Sequence, residues 1–309
     1  MPKTLLFIVL VLMSFFNHAQ AQDQKAEIEK HLRALASDEM QGRESGTLGL
    51  EKSAEYIENY FKSENIKPYY KTYRDTFYLK NEKVAYNLLA YKAGTDPLLS
   101  KNPIIIGAHY DHIGYRKPVN GDSIANGAND NASGTVAVMQ LAKLLKDKET
   151  KRPLIFILFD AEEKGLVGSK YLAEKFKSED VLPYIVFNIE MVGVPMPEYP
   201  DSAYLTGFQR SNFAEVFNSY LSDENLIFSP QSKKYRLFTR SDNHPFYKVF
   251  KIPAHSVSTF DFTNYDFYHQ VGDEADKMDY RHMDRLISQW SVALLNIANH
   301  EDNQIKMNK

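Results

Sequence analysis

The chain has 309 residues, 37 Lys and Arg against 40 Asp and Glu, and a formal charge of −3 at pH 7. A balance on the acidic side does not suit a nucleic-acid binder, which normally shows a basic face, so no nucleic-acid partner is expected. There is no cysteine, which rules out disulfides and leaves His, Asp and Glu as the residues able to build a metal site.

Residues 1–21 read as a signal peptide. Lys3 gives a positive start, Thr4 to Phe16 is an uncharged apolar run, and Ala19-Gln20-Ala21 places small residues at the cleavage positions. The run is too short to cross a hydrocarbon core of roughly 30 Å as a helix. Cleavage near Ala21, export to a periplasmic or extracellular space and no stable membrane anchor afterwards are therefore expected. Residues 22–309 contain no repeat and no low-complexity linker, and read as a single domain.

Ile28, Leu32 and Leu35 recur at helical spacing, and Leu50, Ala54, Ile57 and Phe61 mark a second helix. Val84 to Tyr91 reads as a strand closed by Gly94-Thr95-Asp96-Pro97. Ile104-Ile105-Ile106, Leu154 to Phe159 and Tyr184 to Ile189 are continuous apolar runs, the mark of strands buried on both faces. Helices are expected over Ala132 to Lys146, Gly165 to Phe176 and Ser211 to Leu221. A late strand, Ala254 to Thr259, precedes a terminal helix carrying Met283, Leu286, Trp290, Leu294 and Ile297. Buried strands alternating with amphipathic helices predict a three-layer α/β/α sandwich around a mixed, mostly parallel sheet.

Ligands gather at the ends of such strands, and the polar clusters of this chain fall there. His109-Tyr110-Asp111 follows one strand, Glu162-Glu163 another and Glu190 a third, while Asn129-Asp130-Asn131 precedes a helix. Each has a plainer alternative: a strand-end His–Asp hydrogen bond, a helix cap, an acidic helix start. His269 sits in an aromatic and acidic segment, where a lone His is more often structural than a ligand. Together they supply two imidazoles, three carboxylates and a spare Glu. That is what two zinc ions about 3.5–4 Å apart require, with positions left for water and substrate. No Gly-x-Ser-x-Gly elbow is present for a serine nucleophile.

Six segments carry a family resemblance: Gly107 to His112, Gly127 to Gly134, Asp160 to Ser169, Asn188 to Gly193, Arg240 to Phe246 and Tyr268 to Tyr280. In order and spacing they resemble the M28 metallopeptidases, the co-catalytic zinc aminopeptidase family, and Gln41-Gly42-Arg43 to Pro68 looks like its leading helix region. The resemblance implies a zinc-peptidase (phosphorylase/hydrolase-like) fold and two zinc ions per chain. Asp130 would bridge them through a segment with a cis bond to Asn131. His109 and Glu190 would complete one zinc, Glu163 and His269 the other. Glu162 would be the general base, Asp111 would orient His109, and Tyr268 would donate a hydrogen bond to the oxyanion or serve as a structural aromatic. Asp242 and Asn243 would stand behind or beside the substrate pocket. Glu190 departs from the Asp that many relatives place there, and His112, which matches no ligand role, is expected to be structural.

The implied function is an exported exopeptidase, an aminopeptidase that removes N-terminal residues from peptide substrates with a metal-activated water. Two other readings stand beside it. One is a glutaminyl-peptide cyclotransferase on the same fold with one zinc, against which the presence of His109 speaks. The other is a non-catalytic binding domain, against which the retained ligands and base speak.

Overall fold

A computed structural model describes residues 23–80 and 82–308, so the expected signal peptide lies outside the described residues. Helix α1 (23–35) and α2 (Leu48–Ser63) come first, joined by a 3-10 turn at Asp38–Arg43. Short strands β1 (Lys67–Pro68) and β2 (Arg74–Tyr78) lead to β3 (Val84–Lys92), β4 (Ile104–His109) and an exposed hairpin, β5 (Tyr115–Val119) with β6 (Asp122–Ile124). A wide turn at Ala128–Ser133 opens α3 (Gly134–Leu145), followed by β7 (Leu154–Phe159), α4 (Val167–Ser178), β8 (Ile185–Glu190) and β9 (Ala203–Leu205). The chain closes with α5 (Phe213–Asn218), β10 (Leu226–Ile227), α6 (Pro230–Lys234), α7 (Asn243–Phe250), β11 (Ala254–Ser258) and α8 (Tyr280–Asn299).

Among the described residues, nine strands form one sheet in the order β1-β3-β7-β4-β8-β11-β9-β10, with β2 also on β3. The central four, β7, β4, β8 and β11, are parallel; β3 and β9 flank them antiparallel. The expected sandwich around a mixed sheet is therefore present, with its parallel part at the centre.

Strand β4 shows why. Ile104, Ile106 and Ala108 enter a core shared with α1, α2, α3, α5 and α8, while Ile105 enters the opposite core under α4 and α7. Alternate side chains leave opposite faces of a strand, so an unbroken apolar run is what two covering layers require. Burying each Ile contributes roughly 1.5–3 kcal/mol. Helix α8 presents Met283, Leu286, Trp290, Leu294 and Ile297 to the sheet, and Asp279 caps it by accepting from the amides of Arg281 and His282.

Several elements differ from expectation. Glu190 is the last residue of β8 and pairs with Ser258, rather than following the strand. The helix expected from Ala132 begins at Gly134, because Ala128–Ser133 form the wider turn. Strands of two or three residues (β1, β9, β10) are too short for periodicity to mark. Among the described residues no helix is long and apolar enough to cross a membrane.

His255 on β11 gives the fold a pH dependence. It is fully buried, with Nδ1 donating to the Thr206 carbonyl (2.7 Å) and Nε2 accepting from Ser211 Oγ (2.7 Å). Burial holds its pKa down at about 4. A histidine depressed in the folded state contributes its full stability above the unfolded value near 6.5, and loses it as pH falls toward 4. Urea denaturation at pH 7 and pH 5 should show the parent chain losing about 2 kcal/mol more than His255→Gln, which keeps a donor and an acceptor but does not titrate.

Candidate metal centre and active site

The ends of β4, β7 and β8 open on the same side of the sheet, where the turn at Ala128–Ser133 meets them. Gly127 begins that turn at φ +58°, and a side chain there would collide with the Asp130 carbonyl and the His112 ring. The Asp130–Asn131 peptide bond is cis. The turn is tied down on both sides. Asp273 accepts from the amides of Asn129 (2.8 Å) and Asp130 (3.0 Å) and from the Tyr265 hydroxyl (2.7 Å). Asn131 Oδ1 accepts from the amides of Gly134 and Met191, both at 3.0 Å. Helix capping thus falls to Asn131, and the Asp130 carboxylate is left for other work.

The Asp130 carboxylate lies between two groups of donors. On one side His109 Nε2 is 3.4 Å from Asp130 Oδ1 and 2.9 Å from Glu190 Oε1. On the other side His269 Nε2 is 3.1 Å from Asp130 Oδ2 and 3.1 Å from Glu163 Oε1. Four-coordinate zinc holds N and O donors at about 2.0–2.2 Å, which sets neighbouring donors about 3.3 Å apart. The observed separations fit that spacing on both sides. All five expected ligands, His109, Asp130, Glu163, Glu190 and His269, therefore come together, and Asp130 faces both groups with a different oxygen.

The two imidazoles and the carboxylates around them shift each other strongly. Burial works against the His109 imidazolium, yet Glu190, Asp111 and Asp130 outweigh it and raise its pKa well above the ordinary range. His269 is likewise raised to about 9 by Asp130 and Glu163 against the cost of its burial. Burial pushes the Asp130 carboxyl up, but His109, His269 and His112 more than reverse this and hold it well below the usual carboxylate range. Glu163, opposed by burial and by Asp130 but paired with His112 and His269, falls to about 2. The imidazoles and carboxylates thus hold one another charged, a balance that a bound cation would take over from the imidazolium protons.

Asp111 meets His109 differently from expectation. The Nδ1 atom of His109 donates to the Asp111 main-chain carbonyl (3.0 Å), with the carboxylate farther away at 3.6 Å. The Asp111 carboxylate instead accepts from the amides of Glu162 (3.1 Å) and Glu163 (3.2 Å) and from Ser45 Oγ (3.1 Å). One residue thus fixes the tautomer of a donor through its main chain and the backbone of two carboxylates through its side chain.

Glu162 and Tyr268 line a narrow cleft with Met191, Leu237, Phe260 and Phe262. Burial, then Glu190, Asp242 and Glu163, push the Glu162 carboxyl well up, while His109 pulls it down. The Tyr268 ring stacks on His269 at 4.0 Å between centroids, and its hydroxyl has no hydrogen-bond partner among the described residues. Burial, Asp130 and Glu163 raise its pKa, so the hydroxyl keeps its proton. Asn243 holds the Phe238 and Ala254 carbonyls and accepts from Ser256 Oγ. Asp242 is fully buried behind the cleft, its carboxyl pushed up to about 7 by that burial.

Sequence reasoning gave no role to four residues that matter here. Ser241 donates to Glu190 Oε2; Asp273 clamps the turn; Arg43 binds main-chain carbonyls around it. His112, expected to be structural, is buried beside Glu163, with Nδ1 3.2 Å from its Oε1. Only His112 carried a signal, since it is one more imidazole beside a candidate ligand.

A model of peptidase family M28 matches residues 87–294. The chain belongs to that family. A "Probable leucine aminopeptidase" of Trichophyton verrucosum is 32% identical over 127 residues, 39% of this chain and 32% of the relative. Over the matched segment this chain thus spans about a third of that relative's length. Among solved structures, BSAP, a zinc aminopeptidase from Bacillus subtilis, superposes with a TM-score of 0.69 at 15% identity, covering 91% of this chain and 98% of that one. The glutaminyl cyclase of Porphyromonas gingivalis superposes with 0.68 at 14% identity, covering 87% and 97%. At these identities the superpositions define the fold that the two proteins share with this chain.

Proposed function

We propose that the chain is an exported zinc-dependent exopeptidase, an aminopeptidase that hydrolyses the N-terminal bond of peptides at a two-zinc site. The observation that carries this reading is the Asp130 carboxylate set between His109 and Glu190 on one side and Glu163 and His269 on the other, with Glu162 on the same cleft. Bound zinc would supply Lewis-acid polarisation and bring the pKa of water toward about 7. Glu162 then takes the proton of the attacking water and delivers it to the departing amine. Tyr268 donates to the carbonyl oxygen as it gains negative charge. Asp111 keeps the Glu162 and Glu163 backbone, and the His109 tautomer, in place throughout.

The protein as isolated should contain two zinc ions per chain and release amine from aminoacyl-anilides, and chelation should abolish the release with recovery on adding zinc. Full activity after exhaustive chelation would overturn the reading. Because the fold is shared with a glutaminyl cyclase, the same preparation is assayed on a peptide beginning with Gln. Cyclisation without hydrolysis would replace the aminopeptidase by the cyclotransferase.

A further inference from the structure

We infer that His112 is a ligand of the metal at the Glu163–His269 side, giving that position two imidazoles and making it the tighter of the two. This rests on the metal-site reading above. His112 is 0% exposed, and neither ring nitrogen has a hydrogen-bond partner among the described residues. Its Nδ1 lies 3.2 Å from Glu163 Oε1 and 3.8 Å from Asp130 Oδ2. The first distance is close enough for a hydrogen bond, yet the atoms are not aligned for one, and Glu163 Oε1 is also without a hydrogen-bond partner. A buried imidazole and a buried carboxylate oxygen that approach without bonding are turned toward a third point. His269 Nε2 addresses the same two oxygens, 3.1 Å from each.

Two nitrogens and two oxygens therefore surround one position, at separations close to the roughly 3.3 Å expected between donors on a four-coordinate zinc. The plainer alternative, a His–Glu hydrogen bond, lacks the alignment it needs, although the two groups are close enough to attract each other as charges. The His112 ring is held by its backbone and its packing instead. Its amide donates to the Arg43 carbonyl at 3.0 Å, its ring meets His269 edge to face at 5.7 Å, and Gly127 leaves room for it. The other position has one imidazole, His109, with Glu190 and a single Asp130 oxygen. An additional neutral nitrogen donor favours zinc and relieves a position otherwise crowded with carboxylates.

Zinc should bind the metal-free protein in two resolved calorimetric steps. In His112→Phe the tight step should weaken by at least about 100-fold while the loose step stays within about threefold. X-ray absorption of the wild-type protein carrying one zinc should count two imidazole ligands, a measurement that needs no variant to fold. A count of one imidazole, or a folded His112→Phe with both steps unchanged, would overturn the assignment of His112 alone. Absence of zinc binding by the wild-type chain would overturn the metal-site reading with it.

Discussion

If the chain is the two-zinc aminopeptidase proposed above, Glu162→Gln should leave both zinc ions bound and reduce kcat by about 10²–10⁴-fold. The amide is isosteric with the carboxyl and cannot carry the transferred proton. Nothing else in the site changes: the five expected ligands are other residues, and the contact of Glu162 with Asp111 runs through its main-chain amide. The position is also suited to the task. Burial and three neighbouring carboxylates raise its affinity for a proton, whereas His109 lowers it, and cations at the two donor groups would lower it further. A general base works best with a pKa near the operating pH. Steady-state hydrolysis of an aminoacyl-anilide, with zinc content measured on the same sample, checks the expectation. A fully active, zinc-loaded variant would remove Glu162 from the mechanism.

The largest effect on stability should come from Arg43. Arg43 is 1% exposed, and its guanidinium hydrogen-bonds main-chain carbonyls, with no ion pair to a carboxylate among the described residues. It donates to Tyr110 O (2.9 Å), Leu35 O (2.6 Å), Asn126 O (2.6 Å) and Gly127 O (2.8 Å). One side chain thus joins the end of α1, the segment after β4 and the start of the Asp130 turn. Burial lowers its pKa to about 10, with Asp273 and Asp130 acting in the opposite direction, so it stays charged at neutral pH. Arg43→Met keeps much of the volume and leaves the Leu35, Tyr110 and Asn126 carbonyls without their donor, at a cost of about 1–3 kcal/mol each, while the Gly127 carbonyl keeps the Ala132 amide (3.2 Å). A total loss above about 4 kcal/mol is expected. Arg43→Lys should recover only part of it, because an ammonium cannot reproduce the planar fork. Urea denaturation of both variants measures this, and a loss below about 1 kcal/mol for the Met variant would refute the role. Zinc affinity should fall alongside, since two of the four bonds fix the approach to Asp130.

The central strands and the donor residues were legible in the sequence for a physical reason. Ile104 to Ile106 and Leu154 to Phe159 are apolar without interruption because helices cover both faces. Singly, a carboxylate or imidazole at the end of such a run could be a cap or a strand-end hydrogen bond; it was the recurrence of such groups at three strand ends that made His109, Glu163 and Glu190 stand out together. Asp111 also stood out, but spacing alone could not show that its carboxylate serves the Glu162 and Glu163 amides rather than the imidazole two residues before it. The partners of Arg43 are main-chain carbonyls, which leave no mark on side-chain pattern. His112 was visible as a residue, but not as a neighbour of Glu163, because their approach depends on how two loops from different strands meet. The two-residue strands at the sheet margin have no period to read.

The exposed hairpin of β5 and β6 starts three residues after His112 and ends three before Gly127. Both of its roots are held, one by the bond from the His112 amide to Arg43, the other by the guanidinium on Asn126 and Gly127. Lengthening, trimming or exchanging the segment between them should leave the donor atoms where they are, since none of the contacts among them runs through it. The protein therefore has a place where its outer contour can be rewritten, by evolution or by an engineer, while the chemistry underneath keeps its geometry.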